Sequence, residues 1–165
     1  MESYPVRYKF SQSFDVPAER AFRWCTDYQP DDWAIMGKEG TRRIKRLNED
    51  TLILTDTVVG KSGPVTKKRL VRLNVQELAW TNTHIDGPNK HSQFWYQIVS
   101  MGDGSRLDFV GPQVNYGRRP SPKRIEKMAR DLRNEDSGMW ALLAKEMSMD
   151  LSHKGDRNLM PRTQS

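Results

Sequence analysis

The chain has 165 residues, a formal net charge of +6 and a hydrophobic fraction of 36%. This length suits one packed domain and falls short of what two ordinary domains need. No segment approaches the ~20 consecutive apolar residues of a membrane span, and the polar start MESYPVRYKF lacks the apolar core of a signal peptide. The lone cysteine, Cys25, excludes an intramolecular disulfide, so we expect a cytoplasmic protein.

The first 36 residues predict a strand followed by two short helices. Residues 6–16 alternate aromatic and polar side chains, as a half-buried strand does. In the next segment, VPAERAFRWCTDY, Pro17 has a φ that suits the first turn of a helix, and Cys25 lies on the apolar face. We interpret Cys25 as a buried, unreactive thiol. A second short helix is expected around residues 30–36.

Six further strands are predicted at 41–48, 51–59, 65–75, 78–86, 91–101 and 105–115. Turn-forming residues separate nearly all of them, as in an antiparallel meander. A long apolar stripe then predicts one helix over 122–151; its members are Ile125, Met128, Ala129, Leu132, Met139, Trp140, Leu143 and Met147. We expect one α+β domain over 1–152 and a flexible tail over 153–165.

The turns also predict the register of the central strands. A turn at Gln76–Glu77 sets Leu73 opposite Trp80 and Arg69 opposite His84. The next two turns continue these rows across the sheet, so that one face becomes mostly apolar, as register selection by burial requires. The rows are Val75, Leu78, Ile98, Leu107; Leu73, Trp80, Tyr96, Phe109; Val71, Asn82, Phe94, Gly111; and Arg69, His84, Ser92, Gln113.

This face changes from apolar to polar along the strands. An amphipathic ligand needs such a surface, with an apolar floor and a few orienting polar groups. We interpret the fourth row as the exposed tip of the sheet; the alternative is that it orients a ligand.

The order of elements and three local segments resemble the START/Bet v 1-like superfamily, which includes polyketide cyclase-like proteins. The segments are FDVPAERAFRWCTDYQPDDW at 14–33, QELAW at 76–80 and YQIVSMGDGSRLDF at 96–109. The resemblance implies a helix-grip fold, in which a curved antiparallel sheet of about seven strands wraps around the C-terminal helix. It implies a cavity more strongly than it implies a reaction. Because the final helix is more charged than a lipid-transfer helix, a large, wholly apolar ligand is not expected.

We therefore expect the chain to bind a small, apolar or amphipathic molecule between the sheet and the final helix. The expected ligand-binding residues are Arg69, Trp80, Asn82, His84, Phe94, Tyr96, Phe109, Gln113 and Trp140. The first alternative is a cyclase or dehydratase that uses His84 and Tyr96 for proton transfer. The second is an interaction module whose outer sheet face or basic loops engage a protein; Trp95 on the outer face suggests a contact surface such as a homodimer.

No cofactor, metal or specific nucleic acid is expected. The three histidines are scattered, and neither a metal-ligand motif nor a phosphate-binding loop occurs. Basic residues cluster at 42–46, 67–69 and 118–124, but no stacking aromatics or recognition helix accompany them. We attribute these clusters to solvated faces. The orientation of the Asp56 side chain is left open: one register of the 60–64 turn pairs it with Arg69 on the inner face, and in the other register it points away.

Overall fold

The computed structural model describes residues 1–159, with side chains up to residue 152. Seven antiparallel strands form one sheet in the order β1-β7-β6-β5-β4-β3-β2. The strands are β1 (Ser3–Phe14), β2 (Gly40–Arg46), β3 (Thr51–Gly60), β4 (Gly63–Asn74), β5 (Ala79–Asp86), β6 (Gln93–Met101) and β7 (Gly104–Tyr116). The helices are α1 (Ala18–Thr26), α2 (Asp32–Ile35) and α3 (Pro122–Leu159).

The first strand and helix form as their pattern predicts. Alternate residues of β1, from Tyr4 to Phe10, are buried, so the strand covers the core with one face. Pro17 is the residue directly before α1 and has a φ of −59°, which leads the chain into the helix. The strand begins and ends earlier than expected, at Ser3 and Phe14, because it pairs along its whole length with β7.

The predicted register of the central strands is confirmed for the predicted partners that pair within the strands, including the whole second row. Trp80 lies opposite both Leu73 and Tyr96, and Tyr96 lies opposite Phe109. The first row differs at one position: Val75 is 61% exposed, because the chain turns there and leaves the sheet.

The hairpin between β3 and β4 resolves the position of Asp56. Its turn consists of Lys61 and Ser62 alone, so that Gly60 pairs with Gly63 and Asp56 faces Lys67 across the strands. Arg69 is therefore a diagonal neighbour of Asp56 and not its direct partner. Both side chains lie on the inner face, where the Arg69 Nη2–Asp56 Oδ2 distance is 2.6 Å.

The final helix covers the inner face of the sheet. Every member of its predicted stripe is buried or half-buried, which confirms that the stripe faces the sheet. The aromatic rings of Trp140 and Phe14 lie 6.4 Å apart, and Tyr8 donates a hydrogen bond to Asp136 at 2.5 Å. The helix continues past its predicted end to Leu159. The predicted tail at 153–165 lies outside the residues with described side chains, so its flexibility stays a prediction.

Two surface features complete the fold. On the outer face of the sheet, Trp95 and Val110 lie opposite each other and are 45% and 48% exposed. Within the described residues, no helix combines the length and the apolar character needed to cross a membrane.

Candidate ligand-binding site

A cavity lies between the inner face of the sheet and α3. It has two adjoining compartments of about 790 and 370 Å³. Volumes of this size accommodate drug-sized ligands. We call the part that belongs to both compartments the junction; the residues that line both are Trp33, Lys38, Lys67, Arg69, Tyr96, Asp136, Met139 and Trp140.

All nine residues expected to bind a ligand line this cavity. Trp80 and Asn82 lie in the larger compartment. His84, Phe94, Phe109 and Gln113 lie in the smaller compartment, and Arg69, Tyr96 and Trp140 lie at the junction. The structure thus brings the predicted set together, while ligand binding by these residues stays a prediction.

Stacked aromatic rings form the apolar wall of the cavity. Trp80 and Tyr96 are parallel, with ring centroids 4.8 Å apart, and the Phe109 ring packs edge-on against Tyr96 at 5.2 Å. Such pairs contribute about 0.5–1.5 kcal/mol beyond the burial of their area. The wall is therefore held in place without a ligand.

The polar fourth row is covered, so the interpretation of this row as an exposed tip of the sheet is wrong. Ser92 is fully buried, and its hydroxyl accepts a hydrogen bond from the Val114 amide. The Arg69 side chain is only 14% exposed. The polar end of the inner face therefore belongs to the cavity.

Four buried polar atoms in this region have no hydrogen-bond partner among the described residues. Two are donors, Trp33 Nε1 and Arg69 Nε, and two are acceptors, Asn82 Oδ1 and His84 Nδ1. All four residues line the cavity. Because more than about 90% of buried polar groups in proteins are paired, four unpaired atoms around one space indicate a place for polar atoms of a ligand or for water.

A buried ion network holds Arg69 in its place at the junction. The fully buried Asp56 accepts hydrogen bonds from Arg42 Nε at 2.8 Å and from Arg69 Nη2 at 2.6 Å, and Arg42 also binds Asp32 at 2.6 Å. Burial by itself would raise the pKa of Asp56, but the hydrogen bond from Arg42 and the charge of Arg69 outweigh it and lower that pKa. The network fixes the Arg69 guanidinium and leaves its Nε unpaired.

His84 lies between the Phe94 ring and the cations Arg69 and Lys67. Burial, together with the positive charges of Arg69 and Lys67, lowers the pKa of His84 to about 4, although a hydrogen bond to the Pro88 carbonyl opposes this shift. Its ring packs edge-on against Phe94 at 5.5 Å. Asp56 binds arginines instead of His84, and among the described residues no carboxylate is hydrogen-bonded to the imidazole.

The interpretation of the basic clusters as solvated faces is wrong for Lys67. It lines both compartments, and its ammonium lies 5.1 Å from the centre of the Trp33 ring. Burial and the neighbouring charge of Arg69 lower the pKa of Lys67 to about 8. Arg42, from another basic cluster, is likewise buried. Only the alternation along β4 could have revealed Lys67, because it lies two residues before Arg69 on the same face.

Two further features were not anticipated. Trp33 reaches the junction because Gly40 leaves room for it: a Cβ at Gly40 would lie 3.0 Å from the indole. Asp136 faces the cavity from α3, where burial raises its pKa. Neither residue belongs to the inner-face rows, so the register gave no signal for them.

Cys25 lines the larger compartment, and burial raises the pKa of its thiol, in agreement with an unreactive cysteine. Among the residues with described side chains, no group of three or more His, Cys, Asp or Glu is placed to hold a metal ion.

Known structures identify the fold. The Zhui aromatase/cyclase from Streptomyces sp. R1128 matches with a TM-score of 0.72 and 10% identity, over 90% of this chain and 96% of that one. A START superfamily protein from Mycobacterium smegmatis matches with a TM-score of 0.65 and 16% identity, over 87% and 97% of the two chains. The fold is START/Bet v 1-like.

A third similar structure is that of Ara h 8.0201, with a TM-score of 0.65, 12% identity and coverage of 90% of this chain and 99% of that one. No family model and no curated protein matches the sequence. The predicted helix-grip fold, with seven strands, a long final helix and short helices after β1, is thus confirmed. At these identities the START/Bet v 1-like likeness concerns the fold alone.

Proposed function

We propose that this protein binds a small, partly apolar molecule in the cavity between the sheet and α3, without transforming it. The observation that carries this proposal is the pairing of an aromatic wall with four unpaired, buried polar atoms. An apolar body would pack against the Trp80 and Tyr96 side of the cavity. Polar atoms of the same molecule would satisfy Asn82 and His84, which offer acceptors, and Arg69 and Trp33, which offer donors.

The first experiment measures binding of a neutral fluorescent probe, N-phenyl-1-naphthylamine, by titration. Asn82→Trp fills part of the larger compartment and displaces contacts between the probe and the wall. It should weaken probe binding about tenfold or more, which corresponds to a loss of roughly 1.4 kcal/mol of binding free energy. Thr81→Trp is the matched control, because Thr81 faces Trp95 on the outer side of the sheet. Equal affinity of both variants, or no binding by the unmodified protein, would contradict the proposal.

Gly111 is a poor position for such a blocking substitution, although it belongs to the same row as Asn82. It does not line either compartment, and a Cβ there would lie 2.9 Å from the Phe94 ring. A side chain at Gly111 would disturb the packing of the wall before it reached the cavity.

The second candidate function is a cyclase or dehydratase, which the likeness to the Zhui aromatase/cyclase favours. Such an enzyme needs a proton-transfer group, for which His84 and Tyr96 are the candidates. Burial raises the pKa of Tyr96 to about 12, and His84 has no carboxylate partner among the described residues, so neither is tuned for proton transfer at neutral pH.

This alternative can be tested with benzoylacetone, a β-diketone, by following exchange of its central protons in D₂O by NMR. We expect the protein to leave the exchange rate unchanged. Acceleration that disappears in His84→Gln, while the affinity for N-phenyl-1-naphthylamine is retained, would favour the enzyme.

The homodimer suggested by the outer face also stays a proposal. Trp95 and Val110 form an exposed apolar pair on the neighbouring strands β6 and β7. Sedimentation velocity over a hundredfold range of concentration would reveal self-association, which Trp95→Lys should abolish. A monomer at all concentrations would remove this surface from consideration.

A further inference from the structure

The junction of the two compartments carries an excess of positive charge. The charged residues that line both compartments are Lys38, Lys67, Arg69 and Asp136, three cations and one carboxyl group. The Asp136 carboxylate accepts a hydrogen bond from Tyr8, while burial raises its pKa. Arg69 is paired with Asp56, so the positive charge without an ion-pair partner among the described residues belongs to the two lysines.

The exposed Lys38 and the half-buried Lys67 form no ion pair with the described residues. Among the described residues, neither Lys38 nor Lys67 has a carboxylate within 4 Å; both ammonium groups instead lie over the Trp33 ring, at 6.0 and 5.1 Å. Burying an ammonium without a partner is costly, which is why the pKa of Lys67 is lowered. An anion at this position would recover part of that cost.

Two unpaired donors point to the same conclusion. Asp56 occupies the Nη2 end of Arg69 and leaves its Nε–H buried without an acceptor, and the Trp33 Nε1–H is also buried and unpaired. Ionised oxygens accept hydrogen bonds about twice as strongly as neutral ones do. The junction thus offers two fixed N–H donors and two ammonium groups, and no described acceptor satisfies them.

We infer that the ligand is an apolar acid, whose carboxylate or equivalent oxyanion binds at the junction to Lys67, Lys38 and Arg69. This inference rests on the proposed binding function and names the chemical class of the ligand. The apolar body would extend along the aromatic wall. The larger compartment also carries six further carboxylates, those of Asp27, Asp31, Asp32, Glu135, Glu146 and Asp150. Four of them are exposed, so water and salt screen them more than the half-buried Lys67 and Arg69, and Asp32 is bound to Arg42.

A matched pair of probes tests this inference. 8-Anilinonaphthalene-1-sulfonate and N-phenyl-1-naphthylamine share one apolar body and differ by a sulfonate, which stays ionised at every relevant pH. We expect the unmodified protein to bind the anionic probe at least about tenfold more tightly, the ratio typical of one charge-assisted hydrogen bond. Equal affinities would overturn the inference and leave the proposed function standing. No binding of either probe would overturn both.

The variant Lys67→Met locates the effect. It should reduce the preference for the anionic probe to about threefold or less, and a cooperative urea transition reports that the variant is folded. Lys68→Met is the matched control, because Lys68 is the next residue of β4 and is exposed. A preference that survives Lys67→Met, or that Lys68→Met reduces equally, would contradict the assignment. If Lys67→Met does not fold, Lys38→Met replaces it under the same criteria.

The pH dependence gives a second readout. Charged or titratable groups that face Lys67 from the surrounding elements are Lys38, Arg42, Asp56, Arg69, His84 and Asp136. With a pKa of about 8, Lys67 loses its charge between pH 7 and pH 9. The preference for the anionic probe should therefore fall over this range in the unmodified protein and stay flat in Lys67→Met; a flat profile in both would count against Lys67.

The source of the apolar body is settled by displacement of the anionic probe. Dodecanoate and 1-naphthoate, each compared with its methyl ester, separate an alkyl chain from an aromatic body. Displacement by either acid and not by its ester supports the inference, and equal displacement by acid and ester overturns it.

Discussion

Replacing Asp56 by asparagine should destabilise the protein strongly. Asp56 is fully buried and accepts hydrogen bonds from Arg42 and Arg69, whose side chains are 4% and 14% exposed. The asparagine side chain would have almost the same shape but no charge, and one of the two carboxylate oxygens would be replaced by an NH₂ donor facing a guanidinium. Arg42 and Arg69 would then remain buried without the counter-ion that they share.

The magnitude follows from this geometry. Removing one partner of a buried ion pair costs about 3–5 kcal/mol. Because Asp32 continues to bind Arg42, we expect the lower end, about 3 kcal/mol, in Asp56→Asn. For a chain of this length, this corresponds to a fall in Tm of about 6–12 °C. Urea unfolding followed by tryptophan fluorescence measures the difference directly.

The surface ion pair of the same protein provides the control. Asp108 binds Arg106 at 2.8 Å, with both side chains more than a third exposed. Asp108→Asn should cost less than about 1 kcal/mol, since water screens an exposed pair. If Asp56→Asn were no more destabilising than Asp108→Asn, the inference that the buried ion network stabilises the fold would be refuted.

Three further predictions concern the same region. The difference in unfolding free energy between the unmodified protein and Asp56→Asn should persist at neutral pH and narrow in acid. The pKa of Asp56 is lowered in the folded state, so its contribution to stability is complete above the unfolded value of about 3.9 and is lost as the pH falls below it. A difference independent of pH would contradict this. Gly111→Ala should cost about 1–3 kcal/mol because its Cβ would meet the Phe94 ring, whereas Gly138→Ala, in open space on α3, should stabilise by about 0.5–1 kcal/mol; urea unfolding compares them, and equal effects would refute the packing argument. Lys67→Met should raise the free energy of unfolding at pH 7 by about 1 kcal/mol, because burial penalises the charged amine. This gain should shrink between about pH 8 and pH 10.4, where the lysine is already neutral in the folded protein. An unchanged gain at high pH would refute the lowered pKa of Lys67.

Much of the fold could be predicted because its signals are local. The alternation of apolar residues and the short turns determine which residues pair, and a slip by one residue would expose the whole apolar face. Trp80, Tyr96 and Phe109 therefore line up as predicted, and the nine candidate residues share the inner face. The same local pattern identified the stripe of α3.

The site itself needed the tertiary structure. Whether α3 packs onto the sheet or leaves a space depends on how far long-range contacts, such as those of Trp140 with Phe14 and Tyr96, hold it from the strands. The sequence presented Lys67 as one of three adjacent basic residues; alternation with Arg69 puts it on the inner face, and only the packing of Trp33 and α3 over that face makes it line the cavity. Asp56 was undecided because a single residue of turn length decides which way its side chain points, and the two-residue turn at Lys61–Ser62 directs it inward. Local alternation thus determined the face on which each residue lies, and contacts between distant elements decided which part of that face is a cavity and which charges it contains.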